Sequence, residues 1–265
     1  MSKVWTYEEL CEDMRTGCGV GAGDVLILHS SQAALGNVDG SVVTSIKVLK
    51  DVITSEGTLL LPVFCRPTDS GIFKIKRTPS RVGLITEAFR RSKDVMRSKH
   101  PTHSVAAWGR RRDEFLAGHE TSSGLGIGSP FAKACLAGAD VLMVGCAFTT
   151  LSLIHAAEAA VRVPYLGKVF YPGYERTLTL IDYDGSEIVF PSHDNPTDSA
   201  AFSKVEEEAD RRGLLQHCKM GEADCLKFHA LDIFQVAVEM LTKDPAVLLC
   251  DNPRCPTCPE ARKYC

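Results

Sequence analysis

The sequence holds no run of eighteen apolar residues, so nothing in it reads as a bilayer-spanning helix. Its opening stretch, Met1-Ser2-Lys3-Val4-Trp5-Thr6-Tyr7, lacks the apolar centre that a secretory signal needs. A cytoplasmic address is the expectation. Positive charge is not in excess either: 30 Lys and Arg stand against 33 Asp and Glu, a formal charge of −3. That leaves no basic footprint for a nucleic-acid backbone. The turn after the first buried strand has neither a Gly-x-Gly-x-x-Gly spacing nor a P-loop, which argues against a dinucleotide or nucleoside-triphosphate site there. Internal repeats and dividing linkers are also missing. One domain over 1–249 is expected, followed by a short tail, 250–265.

What is present suits a soluble globular chain. Of 265 residues 45% are apolar and 24% charged, enough for one sizeable core. Val25-Leu26-Ile27-Leu28, the stretch 57–64 and Val141-Leu142-Met143-Val144 are continuous apolar runs, the mark of strands covered on both faces. A further strand is expected at 105–109, and a short one at 223–228. Helical patterns lie at 6–19, 41–54, 83–92, 130–137, 150–160, 198–212 and 230–242. Strand, polar turn and helix in succession is the α/β unit, and its ligand edge lies at the carboxyl ends of the strands. The stretch 176–183 alternates, Asp184-Gly185 is a turn and 186–190 returns, so an antiparallel hairpin is expected and the sheet should be mixed.

The stretch 150–160 is the one around which the chain reads as organised. Here His155 and Glu158 are three apart, on one helical face within reach of each other. Thr149, Thr150 and Ser152 stand at the strand-to-helix turn, where hydroxyls cap free N–H groups. An imidazole beside a carboxylate at a strand's carboxyl end suits proton transfer. A structural hydrogen bond on a packed helix is the alternative. The loop 65–83 carries Lys74, Lys76, Arg77 and Arg81, either a solvated face or a seat for phosphate. His100 and His103 flank Pro101 in a rigid turn with no third metal ligand near in sequence, so scaffold or ligand contact is expected of them.

Taken jointly, several segments resemble the aminoglycoside 3-N-acetyltransferase family across roughly 5–250. They are Leu28-His29-Ser30-Ser31 with Leu35-Gly36, the stretch 56–62, Thr78-Pro79-Ser80-Arg81-Val82-Gly83 with 87–90, His100-Pro101-Thr102-His103-Ser104 with 107–109, 128–130, and 152–158. The resemblance implies an α/β fold, a single domain of three layers with a mixed, mostly parallel central sheet and an antiparallel hairpin. It implies acetyl-coenzyme A as co-substrate and an amine on an amino sugar as acceptor, with a homodimer as the candidate assembly. By match, His155 takes the catalytic histidine's place and Glu158 its partner's. Ser30, Ser31, Leu35, Gly36, Arg81 and Ser104 match segments lining the coenzyme A groove, and His193 and Asp194 fall where polar residues face the acceptor. An alkylammonium titrates near ~10, so a base must take its proton before the nitrogen attacks a thioester. Backbone N–H groups or hydroxyls of the Ser30-Ser31 turn are candidates to meet the oxyanion. Direct transfer needs no thiol nucleophile, and Cys146, at a strand end, is read as packing.

The tail lies beyond the resemblance. Cys250, Cys255, Cys258 and Cys265 are separated by four, two and six residues, and Cys255-Pro256-Thr257-Cys258 has the spacing of a zinc knuckle. A closed structural zinc site, disulfides and free thiols are the three readings. Seven other cysteines are scattered singly and read as small buried hydrophobes. Two further functions stay open: an acyltransferase with another acceptor or acyl group, and a non-catalytic scaffold with a zinc-stabilised tail.

Overall fold

The computed structural model describes residues 3–66, 69–169, 171–191 and 197–265. Twelve strands are present among them. In chain order they are β1 (Val4–Trp5), β2 (Val25–Ser30), β3 (Asn37–Val38), β4 (Thr58–Pro62), β5 (Ile72–Lys74), β6 (Met96–Arg97), β7 (Val105–Gly109), β8 (Asp140–Val144), β9 (Leu178–Ile181), β10 (Glu187–Phe190), β11 (Gln216–Met220) and β12 (Ala223–His229). The helices are α1 (Tyr7–Glu12), α2 (Ser41–Ile53), α3 (Leu84–Arg90), α4 (Arg112–Leu116), α5 (Pro130–Leu136), α6 (Ile154–Val161), α7 (Ser203–Arg211), α8 (Ala230–Lys243) and α9 (Cys258–Ala261). None is long and apolar enough to cross a membrane.

Seven strands form the central sheet in the order β11-β12-β8-β2-β4-β7-β6. Parallel pairing joins only β8 to β2 and β2 to β4; the other four neighbours are antiparallel. By direction, β12 and β7 run against the remaining five strands. The mostly parallel sheet expected above therefore holds for strand direction but not for pairing. Its mixed character does not come from the 178–190 hairpin. That hairpin pairs with β5 in a separate three-stranded sheet, because β5 runs parallel to β9 and takes its free edge.

The three layers follow from alternation along the strands. Ile27, Leu60, Val105, Ala107, Val141 and Met143 face one apolar cluster, packed by α5, α6, α7 and α8. Leu26, Leu28, Leu59, Leu61, Ala106, Leu142 and Val144 face the other, packed by α1, α2 and α3. Burying each such Leu or Val stabilises the fold by roughly 1.5–3 kcal/mol. Helix starts obey local chemistry. At α1, Thr6 and Glu9 form a reciprocal capping box, with N–H donors at 2.9 and 3.2 Å. At α5, Ser129 caps and Pro130 opens the first turn. The tail is not a loose appendage, since Leu248, Leu249, Cys255, Cys258 and Ala261 belong to the same buried cluster as α6 and α8.

One buried polar group in this frame carries a pH consequence. His119 is fully buried; Ser98 Oγ lies 2.7 Å from its Nδ1 and the Gly124 carbonyl 3.0 Å from its Nε2. The Nε2–H donates to the carbonyl and the hydroxyl donates to Nδ1, an arrangement only the neutral ring can make. Burial pushes its pKa down to about 4. Above pH ~6.5 the ring is neutral in folded and unfolded chains and its titration contributes nothing. As pH falls from ~6.5 to 4, the unfolded chain takes a proton that the folded chain refuses, and stability drops by about 1.4 kcal/mol per pH unit. Urea midpoints measured across this window should fall less steeply for His119→Gln than for the unaltered protein. Equal slopes would show that His119 does not carry the effect.

Candidate active site

The carboxyl ends of β2, β4 and β8 open on a cavity of about 290 Å³. Its walls include His29 and Ser30 from β2, Pro62 at the end of β4 and Phe64 beyond it, and Cys146, Thr149, Thr150 and Ser152 after β8. His155 closes one side from α6, Ser199 another, and Val82 and Thr86 contribute at the start of α3. This is the ligand edge that an open α/β sheet dictates.

His155 and Glu158 meet as the spacing predicts. Nδ1 of His155 lies 2.6 Å from Glu158 Oε2, and both side chains are buried. Glu158 Oε1 accepts from the Tyr165 hydroxyl at 2.8 Å and from Thr197 Oγ1 at 3.1 Å. Phe202 packs edge-on against the imidazole at 4.8 Å. With Nδ1–H donating to the carboxylate, the neutral ring keeps its lone pair on Nε2, and His155 is part of the cavity wall. The hydroxyls at the turn do not cap α6 as expected. Thr150 Oγ1 donates back to the Ala147 carbonyl at 2.9 Å, and α6 has no side-chain cap. A short 3₁₀ turn, Phe148–Thr150, stands before the helix instead, and Thr149, Thr150 and Ser152 line the cavity.

The predicted groove residues divide. Ser30 lines the cavity, and its buried Oγ has no partner among the described residues; the same holds for Nε2 of His29. Burial pushes the His29 imidazole down to about 4. Ser31 is half-buried and turned to local duty: its N–H donates to the Val144 carbonyl at 2.9 Å and its Oγ accepts from Ala34 N at 3.4 Å. That removes its N–H as an oxyanion donor. Leu35 is core, and Gly36, at φ +81°, would place a Cβ 2.5 Å from Glu222. Arg81 is exposed beside Val82 of the cavity wall, with Lys74, Lys76 and Arg77 also exposed. His103 lines the cavity while His100 stacks on His119 at 4.9 Å. His193 and Asp194 lie outside the described residues.

Ser104 is not among the residues lining the cavity. It is fully buried and accepts from Arg97 Nε at 2.7 Å, while the guanidinium also donates to the Thr78 and Val63 carbonyls, each at 2.6 Å. Burial pulls this arginine down to about 10. Ser104 is therefore part of the mount for a buried cation, away from the cavity wall.

Reasoning from the sequence passed over His29, Phe64, Thr86 and Ser199 as site residues. Their signal was positional, each lying at or near a strand end or loop on the ligand edge. Cys146 does line the cavity, but burial pushes its thiol up, which opposes a nucleophilic role.

Ser104→Ala should cost about 1–3 kcal/mol in urea denaturation, the penalty for a buried charged donor left without its acceptor. Ligand affinity at the cavity should not move. Unchanged stability with weakened binding would return Ser104 to the groove.

Comparison with known proteins gives the family and the fold. The sequence profile of the aminoglycoside 3-N-acetyltransferases matches residues 27–242. An SPbeta prophage-derived aminoglycoside N(3')-acetyltransferase-like protein of Bacillus subtilis is 31% identical over 60% of this chain and 66% of its own. Aminoglycoside N(3)-acetyltransferase III of Pseudomonas aeruginosa is 28% identical over 84% of this chain and 89% of its own. The solved structure of AAC-IIIb with CoASH superposes with a TM-score of 0.74 at 24% identity, covering 91% of this chain and 97% of that one, and shows the shared fold. On the match across most of its length, the chain belongs to the aminoglycoside 3-N-acetyltransferase family.

Proposed function

We propose that this chain moves an acetyl group from acetyl-coenzyme A directly to a primary amine of an aminoglycoside or related amino sugar, with His155 as general base. The observation that carries this reading is the 2.6 Å contact between His155 and a buried Glu158 at the wall of the strand-end cavity. The names of the relatives and the coenzyme in the AAC-IIIb structure support the donor and the acceptor.

The steps follow from the residues. Nε2 of His155 accepts a proton from the amine as its nitrogen attacks the thioester carbonyl. Glu158 holds the ring's orientation and stabilises the imidazolium that forms. The C–N bond forms, the carbonyl oxygen gathers negative charge, and the Ser30 hydroxyl, without a partner among the described residues, is the nearest candidate to donate to it. Collapse breaks the C–S bond, and the departing thiolate recovers the proton from the imidazolium. The exposed cations of 74–81, Arg81 foremost, suit the phosphates of the coenzyme. The described cavity lining is made of hydroxyls, imidazoles and apolar groups, with no carboxylate among them. Attraction of a polycationic acceptor then needs a carboxylate from elsewhere in the chain; Asp194 is the candidate from the resemblance, with His193 beside it in sequence as a polar contact.

We also infer that the tail holds a structural zinc ion through three thiols. Cys250, Cys255 and Cys258 have their sulfurs within 4.8 Å of one another, close to the ~3.8 Å separation that Zn–S bonds of ~2.3 Å impose. The Cys258 N–H points at Cys255 Sγ at 3.4 Å. Burial works against the Cys255 thiolate, but N–H groups of Cys258 and Thr257 bring its pKa below the ordinary value. Cys265 does not join this set; it is exposed and its thiol faces the Ala261 carbonyl at 3.8 Å. Three thiolates leave a fourth position to another donor.

Replacing His155 by Ala should lower acetyl transfer by roughly 10²–10⁴-fold, the usual worth of general-base catalysis. Thiol release from acetyl-coenzyme A, corrected for the protein's own cysteines, measures the rate, and calorimetry should show coenzyme binding retained. A variant with the parental rate would remove His155 from the mechanism. For the tail, metal analysis of the purified protein should give one zinc per chain, lost in Cys258→Ser with a lower melting temperature. Equal zinc content in both proteins would place the ion elsewhere, and no zinc in either would end the inference.

A further inference from the structure

A second group of thiols lies outside the acetyl-transfer chemistry. Cys18, Cys218 and Cys225 have their sulfurs within 4.8 Å of one another, and none is bonded. The register of β11 and β12 sets Cys218 directly opposite Cys225. Cys18 is held over that pair because the turn Asp13–Gly17 docks on the hairpin. The Gly221 N–H donates to the Asp13 carboxylate at 2.9 Å, and Gln216 Nε2 donates to the Gly17 carbonyl at 3.3 Å.

The three thiols are not equivalent. Cys18 and Cys225 are buried, and their S–H groups face the Lys219 and Ala223 carbonyls at 3.7 and 3.5 Å. Cys218 and Cys225 both line a broad cavity with Cys146, His217, Glu222 and Asp224, but Cys218 is half-buried where Cys225 is only 2% exposed. A metal ion shared by all three would need three thiolates, whereas two of them aim their S–H groups at backbone carbonyls. Attack on an oxidant needs one thiolate, reachable from solvent, with a neutral thiol waiting beside it. The arrangement matches the second requirement. Hydrogen bonding with the Cys18 thiol, then with Cys225, holds Cys218 well below its ordinary pKa, and Lys227 and His217 add positive charge.

We propose that Cys218 is an oxidation site whose partner is Cys18. The Cys218 thiolate attacks the O–O bond of a peroxide; the O–O bond breaks, the hydroxyl oxygen stays on sulfur as the sulfenic acid, and the other oxygen leaves as hydroxide or alkoxide, taking a proton from solvent to become water or an alcohol. The Cys18 sulfur then attacks Cys218 sulfur, an S–S bond forms, and water departs with the sulfenic oxygen and the Cys18 proton. Two electrons pass from the thiol pair to the peroxide. Cys18 is the partner rather than Cys225 because Cys225 is fixed in the ladder opposite Val144 of β8. Cys18 stands outside the sheet between Gly17 and Gly19, the latter at φ +63°, where the backbone can yield as the sulfurs close to roughly 2.05 Å.

The test uses the fully reduced chain, limiting hydrogen peroxide, and peptide mass mapping without reductant. The expected product joins the Cys18 peptide to the Cys218 peptide, formed at least tenfold faster than any change at the buried Cys11 or Cys135. In Cys18→Ser, Cys218 should persist as a sulfenic acid that dimedone traps; in Cys218→Ser, Cys18 should stay reduced. Oxidation of Cys218 no faster than of Cys11, or a Cys218–Cys225 link, would overturn the assignment. Zinc retained by Cys255→Ser protein and lost on adding Cys218→Ser would overturn it too, by making the trio a metal site. None of these readouts depends on acetyl transfer.

Discussion

The buried carboxylate of Glu158 is the constraint on which the candidate site depends. A charge taken out of water must find full hydrogen bonding, or it neutralises or drags the fold apart. Glu158 has three donors: His155 on one oxygen, Tyr165 and Thr197 on the other. They come from α6 itself, from the turn that follows it, and from the segment ahead of α7. The imidazole can therefore be aimed only when all three pieces are in place. Tyr165 extends the dependence further, since it shares its apolar cluster with Cys255, Cys258 and Ala261 of the tail.

The central sheet sets where this happens. β2 and β8 pair in parallel, so their carboxyl ends finish side by side and both release the chain toward the same cavity. The exit from β8 is made through Gly145, at φ +61°, where a Cβ would stand 2.1 Å from that of Ala34. Only glycine permits that close crossing. The turn beyond it presents Cys146, Thr149 and Thr150 to the cavity and delivers the chain to α6. Helix and strand are thus coupled by one tight backbone passage.

Much of this was legible in the sequence, and the parts that were not share causes. Buried strands announce themselves by unbroken apolar runs, and β2, β4 and β8 lie where those runs do. β11, Gln216-His217-Cys218-Lys219-Met220, is an edge strand with mostly polar residues and carries no such signal. β5 is three residues long inside a loop of Gly and Pro, so the hairpin could be seen but its partner sheet could not. The His155–Glu158 pair was readable because helical spacing fixes which side chains meet. Ser104, Leu35 and Gly36 show the converse. A matched segment locates a neighbourhood, while the direction in which each side chain points is decided by packing that no single segment contains.

Cysteine count was the least informative feature, and the reason is physical. A thiol's behaviour follows from what surrounds its sulfur, and the eleven thiols of this chain meet different surroundings. Cys11 and Cys135 lie in apolar packing and act as small hydrophobes. Cys255 sits under backbone N–H groups that favour the thiolate, beside two more sulfurs. Cys218 has neighbouring thiols, nearby cations and a path to solvent. Spacing along the chain could bring the tail cysteines together on paper, because they are close in sequence. It could not bring Cys18 to Cys218, which are joined only by the docking of an N-terminal turn on a hairpin two hundred residues away.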